Sequence, residues 1–261
     1  MKVTAMKIIN FVLVAGIALL SQNSFASVAF SDDFESGNLN LWTQQIATPL
    51  AIANIYNVAP VGGTYSAWAD SSTDRMWHNL GTELGGHTMF SYYLYDDTLT
   101  RAFGQVSAYS GAGFQDGTLQ QLFAIGKYNQ VTMPGEVYDA SKYQGRIVFS
   151  SGAEGWFNLN SAGVTSRSAG WHKFSIERLA DGTSVNFYVD DVLGRSFTGV
   201  DAADWDSIAL GLGAGVESGN AYYDGVKVDV VAAAIPEPPI WALVMLGGIV
   251  LMATGVRRRA V

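Results

Sequence analysis

Residues 170–197, GWHKFSIERLADGTSVNFYVDDVLGRSF, constrain the fold more tightly than any other stretch of this 261-residue chain. Phe174 and Ile176 alternate with Lys173, Ser175 and Glu177, and Val185, Phe187 and Val189 alternate with Asn186 and Tyr188. Strand side chains point to opposite faces at a period of two, so each run has one apolar and one polar face. Asp181-Gly182 between the runs is a hairpin signal, because the turn needs positive φ. Asp190-Asp191 marks a second turn, leading into 193–197. A ribbon with one apolar face is marginal alone and has to be covered by a second layer.

The same rhythm runs through the middle of the chain. Short segments separated by Gly, Asp, Asn and Ser fall at 28–34, 65–70, 87–95, 99–109, 120–128, 146–150, 156–159, 171–179, 184–189, 207–212 and 221–230, with Val226, Val228 and Val230 on one face. No amphipathic helix interrupts them. The spacing predicts an all-β domain over 27–231, a sandwich or a barrel. With 49% hydrophobic residues, one core of about 200 residues is affordable without disulfides. Cysteine is absent, which excludes thiol catalysis and cysteine metal sites.

The two ends read as addresses. Lys2 and Lys7 precede an apolar run over 8–20, and Ser24-Phe25-Ala26 supplies the small residues of a signal peptidase site, so 1–26 is expected to be a signal peptide. At the other end a Pro-rich linker at 232–239 precedes 17 residues without a charge, 240–256, and then Arg257-Arg258-Arg259-Ala260-Val261. Seventeen helical residues extend about 25 Å, slightly short of a hydrocarbon core, a gap that snorkelling arginines cover. The arginines of 257–261 place that end in the cytoplasm and the large middle outside. Residues 27–239 hold all 23 acidic residues against ten basic ones, a balance that disfavours nucleic acid.

Pro236, Glu237 and Pro238, the apolar segment and Arg257, Arg258 and Arg259 together resemble the PEP-CTERM sorting tail. The resemblance implies recognition by an exosortase in the inner membrane of a Gram-negative bacterium that secretes exopolysaccharide. It further implies release to the cell envelope or the extracellular space after processing.

Trp171-His172 and the hairpin Tyr188-Val189-Asp190 resemble the concanavalin A-like and laminin-G-like jelly rolls, as do the opening 30–37 and closing 223–228 segments. Asp191 stands where that family usually has Gly. The resemblance implies a jelly-roll β-sandwich, flanked here by a signal peptide and a C-terminal transmembrane helix.

Three chemistries were weighed on this frame. Asp33 and Glu35, two apart and expected on one face of the first strand, meet Asp224 if the first and last strands are neighbours. Hard oxygen donors of this kind suit one structural Ca2+, and an ordinary acidic edge is the alternative. Trp68, Trp77, Tyr93, Tyr95 and Trp156 are candidates for stacking on a polysaccharide, with burial in the core as the alternative. Tyr93 and Tyr95 share a face opposite Tyr92 and Leu94. No paired-carboxylate strand, nucleophile elbow or zinc motif is present. The sequence therefore leads to a non-enzymatic, exported, polysaccharide-binding β-sandwich. A polysaccharide-active hydrolase or lyase and a structural matrix protein stand as alternatives.

Overall fold

The computed structural model describes residues 27–44, 50–54, 60–69, 75–97, 101–111, 117–149, 155–199, 203–211 and 221–231. The signal peptide, linker, PEP motif, apolar segment and basic tail expected at 1–26 and 232–261 lie outside these residues. Among the described residues there are fifteen strands and no helix.

The strands form two antiparallel sheets. Sheet A runs β13 (Val192–Phe197), β12 (Val185–Val189), β11 (Gly170–Arg178), β6 (His87–Asp96), β15 (Ala221–Val231), β4 (Tyr65–Ala69) and β3 (Ala51–Asn54), with β1 (Ser27–Asp32) also paired to β15. Sheet B runs β10 (Gly155–Asn158), β9 (Gln144–Phe149), β8 (Thr118–Lys127), β7 (Ala102–Ser110), β14 (Trp205–Gly211), β5 (Arg75–Leu84) and β2 (Thr43–Gln44). Two such sheets packed on one core make a β-sandwich.

The expected alternation sorts the side chains. Phe90, Tyr92 and Leu94 of β6, Phe174 and Ile176 of β11, and Val185, Phe187 and Val189 of β12 are all fully buried in the core. Sheet B answers with Val106, Phe123, Ile125, Ile147, Phe157 and Ile208. Small residues make room for large ones across the gap. A Cβ on Gly104 would lie 2.4 Å from the Tyr92 ring, and one on Gly145 would lie 2.5 Å from Phe157. The Tyr92 hydroxyl spans the core, accepting from Gly104 N at 2.6 Å and donating to Ile125 O.

The 190–191 turn departs from the family pattern without losing its geometry. Asp190 and Asp191 have φ of 50° and 62°. Positive φ at both central residues is the type I′ hairpin that Gly usually supplies. The strain is offset by side-chain contacts: Asp190 accepts from Lys173 N at 2.9 Å, and Asp191 pairs with the Lys173 ammonium at 2.7 Å.

Three strands escaped the sequence pattern, namely β2, β3 and β5. In β5 the reason is visible. Its segment RMWHNLGTEL has little apolar alternation, and its pairing with β14 shifts register between Trp205 and Ser207.

Candidate functional site

The outward face of sheet B is a trough in side-chain size alone: its middle strands carry small residues and its flanking strands long ones. Cross-strand register sets Trp77, Ala209, Gln105, Ala124, Arg146 and Trp156 in one row across β5, β14, β7, β8, β9 and β10. The adjacent row holds Arg75, Gly211, Phe103, Gly126, Gln144 and Asn158. Alanine and glycine occupy much of the middle, while long side chains stand at β5 and at β9–β10. The floor is closed: Phe103, Gln105, Ser107, Ala124, Ser207 and Ala209 are all buried.

One wall of the trough is an aromatic–guanidinium assembly. Tyr128 and Trp156 stack at 3.9 Å and 7°, and Phe103 meets Trp156 edge-on at 5.1 Å. Arg146 lies over the Trp156 ring at 5.8 Å and Arg101 over Tyr128 at 5.0 Å. Arg101 also donates from Nε to Asn129 Oδ1 at 2.9 Å. Stacking and cation–π attraction orient these heads. Burial lowers the Arg75 pKa, Tyr109 and Tyr223 oppose that, and the charge of Arg146 lowers it further.

The five aromatic candidates do not form one platform. Trp77 and Trp156 belong to this trough, at opposite ends of one row, and Trp156 is 4% exposed. Trp68, Tyr93 and Tyr95 stand on the outward face of sheet A, on the other side of the sandwich. There Trp68 pairs across strands with Tyr222, and Tyr95 pairs with Trp171, their rings 5.6 Å apart and edge-on. Arg75, Arg101, Gln105, Tyr128 and Arg146 were missed by sequence reasoning. The signal available was Gln105, a polar residue at an alternate position in an otherwise apolar run.

Of what was expected for the acidic candidates, the structure shows the pairing of the first and last strands. β1 pairs with β15 as expected, but it ends at Asp32, and Phe34 has φ 59°. Asp33 and Glu35 therefore lie in the turn beyond the strand rather than on one strand face. Residue 224 sits where β15 changes partner. Its N-terminal part pairs with β4 through Tyr223 and its C-terminal part with β1 from Val226, with a register shift against β6 between Asp224 and Lys227. Asp224 is fully buried. Its Oδ1 accepts from Gly225 N at 2.7 Å, and Oδ2 has no partner. Burial, followed by the charges of Glu35, Asp33 and Asp32, pushes its pKa up to about 7. Glu35 Oε1 accepts from Thr64 N at 2.7 Å and Tyr65 N at 2.8 Å. An orphaned buried carboxylate oxygen beside other acids fits a hard cation in its donor chemistry. No three His, Asp or Glu side chains among the described residues are grouped as a metal cage.

A third constellation has the order of a hydrolytic triad. Ser168 Oγ lies 3.1 Å from His172 Nε2, and His172 Nδ1 lies 2.8 Å from Asp190 Oδ2. The Ser168 carbonyl, however, is 3.0 Å from the same Nε2. Asp190 holds the Nδ1 side of the ring, and Nε2 faces both the hydroxyl and the carbonyl of Ser168. Burial opposes a charge on the ring, but the hydrogen bond and charge of Asp190 and the Ser168 carbonyl raise the His172 pKa. The group is a clamp tying β11 to the 190–191 turn.

The sequence matches no protein-family model and no curated protein. Solved structures do share its shape. Domain 4 of AbnA, a GH43 extracellular arabinanase from Geobacillus stearothermophilus, in complex with arabinotriose, aligns with a TM-score of 0.51 at 14% identity, over 80% of this chain and 95% of that one. The endo-1,3-β-glucanase of Streptomyces sioyaensis aligns at 0.49 and 14% identity, over 82% and 99%. The catalytic domain of a laminarinase from Thermotoga petrophila aligns at 0.47 and 16% identity, over 81% and 100%. At these identities the likeness shows the fold alone. The expectation of a non-enzyme is corrected: a domain of an arabinanase shares this fold, and the fold leaves catalysis open. The described residues form an all-β sandwich of two antiparallel sheets, the fold shared with that arabinanase domain.

Proposed function

We propose that the protein is a polysaccharide-directed surface or extracellular protein whose sugar-contacting region is the trough of sheet B. The observation that carries this is the trough itself. Small residues fill the middle of its rows, and Trp77, Gln105 and the arginines beside them are the ring faces and donors that a sugar chain would engage. The domain 4 structure that shares the fold carries an arabinotriose, which agrees with a saccharide-related role.

The chain's ends extend this reading. Residues 1–26 would export the protein, and Pro236, Glu237 and Pro238 with Arg257, Arg258 and Arg259 would present it to an exosortase at the inner membrane. Asp33, Glu35 and Asp224 would supply oxygen donors to one structural Ca2+.

The test uses the full chain, purified in detergent, on a panel of neutral and acidic glycans. Affinity is measured alongside release of reducing ends and of unsaturated sugars. Binding weakened by Trp77→Ala and retained in Trp68→Ala places the ligand on sheet B. Product release separates a trough that cleaves from one that only holds. The absence of both binding and release across the panel refutes the proposal. Mass spectrometry of the surface form, ending near Pro236, checks the sorting tail.

A further inference from the structure

Two kinds of side chain meet on the outward face of sheet B. Phe103, Leu122, Ala124 and Trp156 form a buried apolar cluster of their own, packed by Leu119, Tyr128 and Val148 and separate from the core between the sheets. Beside them on β7 stand Gln105 and Ser107. Their side chains share the outward direction of Phe103, because Gly104 and Val106 between them face the core. Register places Gln105 opposite Ala124 and Ser107 opposite Leu122. Each polar side chain thus has an apolar neighbour about 5 Å away at Cβ.

Ser107 is the anomaly. It is 1% exposed, and its Oγ is buried without a hydrogen-bond partner. Ser207 lies opposite it on the other flank, but that hydroxyl donates to Asp206 Oδ1. Burial raises the Tyr109 pKa and the nearby Ser107 hydroxyl opposes that, yet Oγ meets no partner in hydrogen-bonding geometry. Buried hydroxyls are normally satisfied, and one left over costs free energy unless an incoming group meets it. Gln105, nearly buried on the same strand face, offers both an amide donor and an amide acceptor. An unsubstituted sugar ring brings only hydroxyls to such a corner. An acetyl group brings a carbonyl acceptor and a methyl on the same carbon, which matches a lone donor set against an apolar cluster.

Resting on the reading above that this face holds a saccharide, we infer that its ligand is an acetylated polysaccharide, with the acetyl carbonyl accepting from Ser107 Oγ and the methyl packed on Phe103, Leu122 and Ala124. Gln105 is the long, flexible side chain that moves aside to admit the group. Its amide oxygen then accepts the N–H when the acetyl is an amide.

The experiment measures binding of the full chain to chitohexaose and cellohexaose, which differ in the acetamido group, and to acetylated glucomannan before and after alkaline deacetylation. At least one acetylated ligand is expected to bind about tenfold more tightly than its unacetylated counterpart, the gain of one buried hydrogen bond and one buried methyl. Preference for chitohexaose identifies an N-acetyl sugar, and preference for the acetylated glucomannan identifies an O-acetyl ester. Ser107→Ala loses that preference and leaves the affinity for the unacetylated chains unchanged. Because the hydroxyl has no partner in the free chain, the variant melts no lower than the parent, so a loss of preference is not a loss of folding. Equal binding of acetylated and unacetylated chains overturns the inference and leaves the saccharide reading standing. No binding to any of the four overturns both. An unchanged preference in Ser107→Ala also overturns the inference. So does a variant that melts lower or fails to fold, because the hydroxyl would then be partnered already.

Discussion

Asp224 offers a direct test of the electrostatics at the point where β15 changes partner. Its carboxyl is fully buried, with one oxygen orphaned and a pKa pushed up to about 7 from 3.8 by burial and by Glu35, Asp33 and Asp32. The sign follows from proton linkage. Between about pH 4 and pH 7 the folded chain holds a proton that the unfolded chain has released. The group therefore costs nothing below pH 4, becomes progressively destabilising up to pH 7, and imposes its full penalty above. A rise from 3.8 to about 7 corresponds to at most about 4 kcal/mol, and relaxation around the site brings the expected effect nearer 2 kcal/mol. Asp224→Asn removes the charge while its carbonyl still accepts from Gly225 N. Urea unfolding in the presence of a chelator is the assay. The variant is expected to match the parent at pH 4, to exceed it by about 2 kcal/mol at pH 8, and to flatten the pH dependence between. A variant weaker than the parent by the same amount at every pH refutes the argument, because the carboxylate would then be favourably partnered. Calcium added at pH 8 should raise the midpoint of the parent and leave Asp224→Asn unmoved if the site takes the cation.

Other predictions concern the clamp and the core. His172, with its pKa raised, contributes stability fully below pH 6.5, and that contribution is lost as pH rises through its folded pKa. Urea midpoints of the parent should fall between pH 6.5 and 9, and those of His172→Gln should not. Gly104→Ala drives a methyl into the Tyr92 ring and takes away the close approach that the Tyr92 hydroxyl bridges, so a loss of about 2–3 kcal/mol or failure to fold is expected by thermal melting. Trp205→Ala should cost about 3–5 kcal/mol in the same assay, because Trp205 is fully buried against Phe123. Trp205→Phe should cost clearly less, since it also removes an indole N–H that has no partner.

Alternation in the sequence was enough to place β6, β11, β12 and β15, because each has one core face and a turn that announces its end. It failed for β5, whose residues are mixed on both faces and whose register slips against β14. The meeting of the first and last strands was foreseen, but the exit of Asp33 and Glu35 from β1 was not. The strand ends at Asp32, two residues earlier than the 28–34 segment read from alternation, and positive φ at Phe34 turns the chain away.

By itself the sequence determined the period-two patterning, and with it the antiparallel ribbons, the turns at 181–182 and 190–191, and the choice of which side chains face the core. These are local properties, set by side-chain direction and backbone sterics within a few residues. Only the tertiary structure decided which strands from distant parts of the chain lie side by side. That pairing separated Trp68, Tyr93 and Tyr95 from Trp77 and Trp156, and set β1 beside β15. Sheet order and register are settled by how two whole layers bury each other, a balance that no short stretch of sequence contains.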